Sequence, residues 1–249
     1  MKKINSLTLA LLLSLSSNQL LAADSEDSPN PSDITEVSTS AYFGINNQGG
    51  VKGSIARGFG FSEKTEGMIT IEAAIDKEGH YSDSRFQYFQ VFNTKNHVVP
   101  KAAVSLDVMD NDMFTSASLG SVIAINPGVK GLSIFPRAGV LAGEYSDSSV
   151  NQFNVSDRGT TGASAALYVS YTMGKDGTYI MVSPEYNYLG GDIETSMLKT
   201  SVKMGTPFSQ DKTRWGEIRL ENTDIKMESA NKKIKNNDTV VWANYKFYF

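Results

Sequence analysis

The chain has 249 residues, of which 40% are hydrophobic and 20% charged, and its formal net charge is −4 with neutral histidines. It contains no cysteine, which excludes disulfides and thiolate metal sites. The mildly acidic balance argues against nucleic acid as a partner, because such sites need clustered Lys and Arg.

The first 22 residues have the pattern of a cleaved export signal. Lys2 and Lys3 precede a short apolar run over 7–15, and Ala22 offers a small residue at a cleavage point. The run is too short to cross a bilayer, which takes about 20 apolar residues. We therefore predict a signal peptide over 1–22 and an exported mature protein.

Residues 23–40 are rich in acids and serines, contain two prolines and have hardly any large apolar group. Such a segment buries too little surface to offset the entropy lost on ordering. We predict a disordered acidic leader. The alternative is that the segment folds into a barrel lumen as a plug.

Alternating polar and apolar residues, separated by turn residues, predict twelve strands in the remainder of the chain. The expected strands are 41–46, 51–61, 68–76, 84–93, 101–109, 114–125, 132–145, 160–173, 177–189, 193–205, 213–224 and 238–249. Ten strands is the alternative, because 41–46 is short and 84–93 is apolar on both faces. Several strands reach nine residues or more, about the length that crosses a bilayer at a tilt. A secreted soluble β-sandwich or barrel would also alternate, with shorter strands.

The final strand has the strongest pattern. Phe249, Phe247 and Tyr245 share one face, and Lys246 lies on the other. This strand resembles the closing strand of Gram-negative outer-membrane β-barrel proteins. The resemblance implies an all-β, transmembrane, antiparallel up-and-down barrel over 41–249 in the cell outer membrane, in contact with membrane lipid and lipopolysaccharide. It also implies that Phe249, Phe247 and Tyr245 form the signal read by the barrel assembly machinery.

Barrels of this class keep both termini on one side, with short turns there and longer loops opposite. The chain fits this asymmetry, with a tight turn at 174–176 and long loops expected at 146–159 and 225–237. Arg57 is the misfit, since it shares strand parity with the outward Ile55. We expect a bulge or an error in the predicted register at this position.

The same alternation directs charged side chains towards the lumen. These are Glu72, Asp76, Lys101, Asp107, Arg137, Glu185, Lys199, Lys203, Glu217, Arg219, Glu221 and Lys246. The candidate pore-lining residues among them are Arg137, Glu185, Lys199, Lys203, Glu217, Arg219, Glu221 and Lys246. Their mixed signs are consistent either with a selectivity element or with a network that braces a narrow lumen. Arg137 and Glu185 are expected to bridge across the wall.

The sequence offers little for catalysis. His80 and Ser82 lie two residues apart in a predicted loop, which faintly resembles outer-membrane lipid A deacylases, and His97 lies at the other end of the barrel. Asp110 and Asp112 could form a cation site but lack the glycine and distal glutamate of a calcium loop, so a polar turn is the simpler interpretation. We predict no enzyme, no cofactor and no metal site.

Two functional classes follow. The first is a small porin-like or weakly selective channel. The second is a structural or surface-interaction barrel, resembling an autotransporter-type translocator domain without a passenger. An outer-membrane lipid-modifying enzyme is third. The sequence specifies neither a solute nor an oligomeric state.

Overall fold

The computed structural model describes residues 28–249, so the predicted signal peptide and residues 23–27 lie outside the described residues. The strands are β1 (Ser40–Asn46), β2 (Val51–Ser62), β3 (Thr65–Ile75), β4 (Tyr81–Asn93), β5 (Lys101–Asn111), β6 (Phe114–Ala124), β7 (Leu132–Tyr145), β8 (Gly159–Thr172), β9 (Tyr179–Gly190), β10 (Glu194–Pro207), β11 (Arg214–Glu228) and β12 (Lys233–Tyr248). A short helix, α1 (Asp147–Phe153), lies between β7 and β8. No helix within 28–249 is long and apolar enough to cross a membrane.

The twelve strands form one closed antiparallel barrel in sequence order. Closure occurs where β1 pairs with β12, from Ser40 opposite Tyr248 to Asn46 opposite Trp242. The prediction of an all-β up-and-down barrel with twelve strands is confirmed. The ten-strand alternative is wrong, because β1 is short but paired on both sides and β4 pairs regularly with β3 and β5.

The outer surface is apolar across neighbouring strands. Leu106, Leu119 and Val140 lie side by side on β5, β6 and β7, and they are 44%, 59% and 61% exposed. In water such a continuous apolar surface is unfavourable, whereas in lipid it is required. Because apolar outward residues alternate with polar inward ones, the mean hydropathy of a strand does not reveal this surface.

The barrel has two different ends. We call one end the terminal rim, because β1 begins there and β12 ends there. The opposite end, the loop rim, has one long connection, at 146–158. The predicted loop at 225–237 is wrong, because β11 and β12 continue their pairing as far as Glu228 and Lys233. Polar side chains support this extension, as in the 3.0 Å hydrogen bond that Asn222 Nδ2 donates to Asn237 Oδ1.

Arg57 does not sit in a bulge. It points outward and pairs regularly with Ile69, and the register shift lies further along, between Gly60 and Ser62. Because Ala56 pairs with Ser40 at the start of β1, Arg57 is at the level of the terminal rim. A long arginine side chain there can keep its apolar stem on the barrel and its charge in polar surroundings.

Residues 28–39 form a terminal plug inside the barrel, which differs from the disordered leader expected for 23–40. Thr35 is fully buried, and Ile34 packs against two apolar clusters on opposite walls. The first cluster contains Phe89, Val91, Ala103, Val122, Ala124 and Phe135, and the second contains Tyr179, Met181, Trp215 and Tyr248. The Ile34 side chain thus contacts both clusters and supplies apolar burial that the acidic composition concealed.

Polar contacts fix the terminal plug to the wall. Lys101 Nζ lies 3.0 Å from Asp33 Oδ2, and the Ser32 and Thr172 hydroxyls are 3.2 Å apart. The backbone N–H of Phe249 donates to the carbonyl of Thr39 at 3.0 Å, where the plug joins β1.

The 146–158 connection folds over the loop rim as a cap. Phe153 of α1 is 1% exposed and packs with Phe114, Tyr145, Ile193 and Met227. The Tyr145 hydroxyl lies 2.6 Å from Thr195 Oγ1, which ties β7 to β10 beneath the helix. The terminal plug and the cap therefore narrow the two ends of the lumen.

Candidate functional site

A chamber of about 310 Å³ lies in the lumen between the terminal plug and the cap. Ile34 of the plug lines one end of the chamber. Met113, Phe114 and Ile225, wall residues that pack with Phe153 of the cap, line the other end. The charged residues of its wall are Arg85, Asp107, Arg137, Glu185 and Lys199.

Asp107 is the centre of the strongest ionic cluster. Its carboxylate is almost fully buried, and Oδ1 accepts hydrogen bonds from Arg85 Nε at 2.7 Å and from Gln87 Nε2 at 2.9 Å. Arg137 Nη2 approaches Oδ2 at 3.5 Å. One carboxylate thus contacts two guanidinium groups.

Glu185 lies in a second row of charges. Strand register places Arg137 opposite Ala166, Ala166 opposite Glu185, and Glu185 opposite Lys199. The expected ion pair between Arg137 and Glu185 is wrong within the described chain, because Arg137 pairs with Asp107 instead. Glu185 accepts hydrogen bonds from Asn187 Nδ2 at 3.0 Å and from the Tyr168 hydroxyl at 3.4 Å.

The remaining candidate residues also face the lumen. Lys203 Nζ lies 3.4 Å from Glu217 Oε1, and Arg219 Nε lies 3.5 Å from Glu221 Oε2. The Tyr179 hydroxyl also donates to Glu217. These local pairs support the bracing network rather than an uninterrupted row of one charge.

Lys246 faces inward, with its ammonium 4.7 Å from the ring centroid of Tyr248. On the opposite face, the Tyr245 and Phe247 rings pack edge to face at 4.6 Å, and Phe249 is two-thirds exposed. The geometry therefore presents the predicted assembly-signal side chains on the outside of the closing strand.

Two of the twelve charged residues predicted to face the lumen, Lys101 and Asp76, do not belong to the charge network of the wall. Lys101 points inward, but its partner is Asp33 of the terminal plug. Asp76 is not on the inner wall, because β3 ends at Ile75 and Asp76 begins the exposed turn at the loop rim.

That exposed turn brings Asp76, Glu78 and His80 together, with potential ligand atoms within 4.8 Å of one another. Asp76 Oδ1 accepts the backbone N–H groups of His80 and Glu78, each at 2.9 Å, and these hydrogen bonds lower the pKa of the Asp76 carboxyl. The cluster is a solvated turn closed by its own hydrogen bonds.

His80 and Ser82, the pair considered for catalysis, have different partners. The Ser82 hydroxyl donates to Asp83 Oδ2 at 3.2 Å. His80 Nδ1 lies near the carboxylates of Asp76 and Glu78, at 3.5 and 3.6 Å.

Comparison with known proteins rests on structure. No family model matches the chain, and no curated protein matches it. The NanC porin superposes with a TM-score of 0.61 at 8% identity, over 85% of this chain and 100% of that one. An outer membrane channel from Pseudomonas putida F1 gives 0.59 at 8% identity, over 90% and 100%. The KdgM porin gives 0.52 at 12% identity, over 86% and 99%.

The chain has the fold of the outer-membrane porin barrels. At these identities the likeness extends to architecture, so the choice of solute rests on this chain's own lumen. The prediction of a barrel of this class, without a narrower subfamily, is confirmed.

Sequence reasoning missed several lumenal residues. Arg85 sits in a stretch that is apolar on both faces, yet Glu72 lies directly opposite it in the β3–β4 hairpin. Lys52 also faces inward and lies 3.1 Å from Glu72. Lys52 could have been predicted to face inward, because it shares a strand face with Ser54 and Ala56. The position of Arg85 depends on the pairing register between strands, which the alternation within one strand does not give.

Proposed function

We propose that the protein is an integral outer-membrane barrel that passes small solutes as a weakly selective, porin-like channel. The observation that carries this proposal is the combination of a continuous apolar exterior with a closed, charged interior that contains a chamber of about 310 Å³. Charged groups inside a barrel are stable when the interior is wet or when they pair. In this proposal the barrel exterior contacts membrane lipid and lipopolysaccharide, and nucleic acid is not a partner.

The terminal plug and the cap define the resting state in this proposal. Ile34 contacts both wall clusters near one rim, and Phe153 packs at the other. We expect conduction to increase when one or both segments move. The narrowing at both ends also favours the second candidate, a closed structural or surface-interaction barrel, and the two differ in whether current flows.

Single-channel recording on the purified protein in planar bilayers tests the channel. We expect small, intermittent openings that reflect movement of the terminal plug or the cap. A protein that inserts into the bilayer but never conducts, even after plug removal, would leave the structural candidate.

Replacement of Leu119 by Arg tests the membrane orientation. Leu119 lies in the middle of β6 on the outer surface, where an arginine at the bilayer midplane costs about 2–4 kcal/mol. We expect that loss in unfolding experiments in lipid vesicles. The control is Val129→Arg in an exposed turn, for which the expected change is within about 0.5 kcal/mol. Equal small effects of both changes would contradict a lipid-facing surface.

Replacement of Phe249 by Ser tests the assembly signal. The side chain is 66% exposed, so its contribution to the folded state is small, well below the roughly 2–3 kcal/mol of a fully buried phenylalanine. We expect a much larger loss of membrane-assembled protein in cells, because the barrel assembly machinery would read the strand before folding is complete. Comparison of membrane yield in cells with refolding in detergent separates the two effects. Phe61→Ser, at an exposed aromatic near the end of β2, is the control for lost apolar surface.

A further inference from the structure

The chamber between the terminal plug and the cap is lined by three cationic side chains, Arg85, Arg137 and Lys199, and by two carboxylates, Asp107 and Glu185. Just outside this lining, Glu72 lies opposite Arg85, and Lys52 Nζ lies 3.1 Å from Glu72 and 3.3 Å from Asp83. The charges of the wall are thus close to balance. A bound anion would be held by the free hydrogen-bond donors of the cations and not by an excess of charge.

Two of the cations have hydrogen-bonding capacity to spare. A guanidinium has five N–H donors, and within residues 28–249 the Arg137 guanidinium makes one hydrogen bond, at 3.5 Å to Asp107. Arg85 is the closer partner of that carboxylate. Lys199 lies opposite Glu185 in the strand register but makes no ion pair or hydrogen bond within residues 28–249. Arg137 and Lys199 are thus the groups available to an incoming carboxylate.

The side of the chamber towards the loop rim is mainly apolar. Its apolar side chains are Met113, Leu141, Leu189, Met197 and Ile225, and Ser116, Asn187 and Thr195 lie among them. Methionine is unbranched and polarisable, and it adapts to irregular apolar surfaces. A fully polar anion, such as a sugar acid, would place most of its hydroxyl groups against apolar side chains.

We propose that the chamber is a binding site for a small amphipathic monoanion. Its carboxylate contacts Arg137 and Lys199, and its apolar chain or ring lies against Met197, Leu141 and Ile225. The volume of about 310 Å³ is at the lower end of the range for small-molecule sites. The inference rests on the proposed function for its biological meaning, because it names the class of solute, but binding itself does not require conduction.

Calorimetric titration of octanoate into the full mature protein in lipid nanodiscs tests the site. We expect saturable heat beyond that of empty nanodiscs, because partition into lipid does not saturate at a stoichiometric ratio. Octylammonium and glucuronate, which lack the anionic head or the apolar chain, are expected to bind at least about tenfold more weakly.

Charge-removing variants locate the ligand. Arg137→Gln is expected to weaken octanoate binding about tenfold, through loss of a charge-assisted fork. Lys175→Gln, which removes one positive charge from an exposed turn, is the matched control and should leave affinity unchanged. Assembly of each variant is checked by heat-modifiable migration on gels. If Arg137→Gln does not assemble, Lys199→Gln and Met197→Ser test the head and the chain separately.

Three results would overturn the proposal: heat equal to that of empty nanodiscs, glucuronate binding as tightly as octanoate, or equal affinities in Arg137→Gln and Lys175→Gln. The channel is tested separately by conductance. A protein that conducts without binding octanoate would lose this inference and keep the channel, and one that binds without conducting would keep the chamber and lose the channel.

Discussion

Deletion of residues 28–38 is expected to raise the single-channel conductance several-fold and to replace intermittent openings by long-lived ones. The deletion removes Ile34, which packs against the apolar clusters of opposite walls, and the ion pair between Asp33 and Lys101. The twelve strands keep all their pairings, because β1 begins at Ser40. Unfolding in detergent micelles should show that the barrel remains folded.

A reversible lock provides the control for this deletion. The Ser32 and Thr172 hydroxyl oxygens are 3.2 Å apart, and the chain has no native cysteine. Ser32→Cys combined with Thr172→Cys should therefore place two thiols within reach of a disulfide. Low conductance in the oxidised state, followed by an increase on reduction, would identify the terminal plug as the mobile obstruction. Identical currents before and after reduction, with the disulfide shown to form, would exclude it and direct attention to the cap.

The pH dependence of this plug has a predictable sign. Burial raises the pKa of the Glu36 carboxyl above its ordinary range. The docked plug therefore binds a proton more readily than the free segment, so docking strengthens as the pH falls through the raised pKa and weakens above it. We expect conductance to decrease on mild acidification, and Glu36→Gln to reduce that dependence.

Local alternation was enough to predict the barrel, because each strand carries its own inside and outside. Leu167 and Tyr171 face outward and Ser170 inward in β8, as parity requires. The strand count and most strand bounds follow from such local patterns. The end of β11 did not, because beyond the apolar belt the pairing continues on polar side chains, which alternation does not mark.

The terminal plug and the ionic contacts could not be predicted in this way. The segment 23–40 is rich in acids and serines, and its only large apolar residues are Ile34 and Val37. How much these two side chains stabilise the plug depends on the apolar wall that the folded barrel presents to them. Likewise, parity directed Asp107 and Arg137 to the lumen, but their contact spans from β5 to β7 and depends on side-chain length and on small residues between them. Gly120 on β6 is one such residue, since a Cβ atom there would lie 3.1 Å from Arg137 Nη2.

Replacement of Asp107 by Asn is expected to cause the largest loss of stability among the lumenal substitutions. The side chain is 3% exposed and holds both Arg85 and Arg137, so neutralisation removes the carboxylate that both guanidinium groups contact. Removing one partner of a buried ion pair costs about 3–5 kcal/mol. We expect the lower end of that range, because the Arg85 side chain is about a third exposed to the lumen. Urea unfolding in lipid vesicles measures the change, and Asp157→Asn in the exposed 146–158 connection is the control.

The same substitution has a predicted effect on ion selectivity, opposite in sign to that of Arg137→Gln. Asp107→Asn makes the wall more positive, so the reversal potential in a salt gradient should report a greater preference for anions. Arg137→Gln should have the opposite effect and favour cations.

The double variant restores the charge balance, so its selectivity should return towards that of the wild type. Its loss of stability should also be smaller than the sum of the two single losses, because each removes the group that the other leaves unpaired. Additive losses would show that the 3.5 Å contact between Arg137 and Asp107 contributes nothing. Current through the variants with no change in reversal potential would place the conducting path away from this cluster.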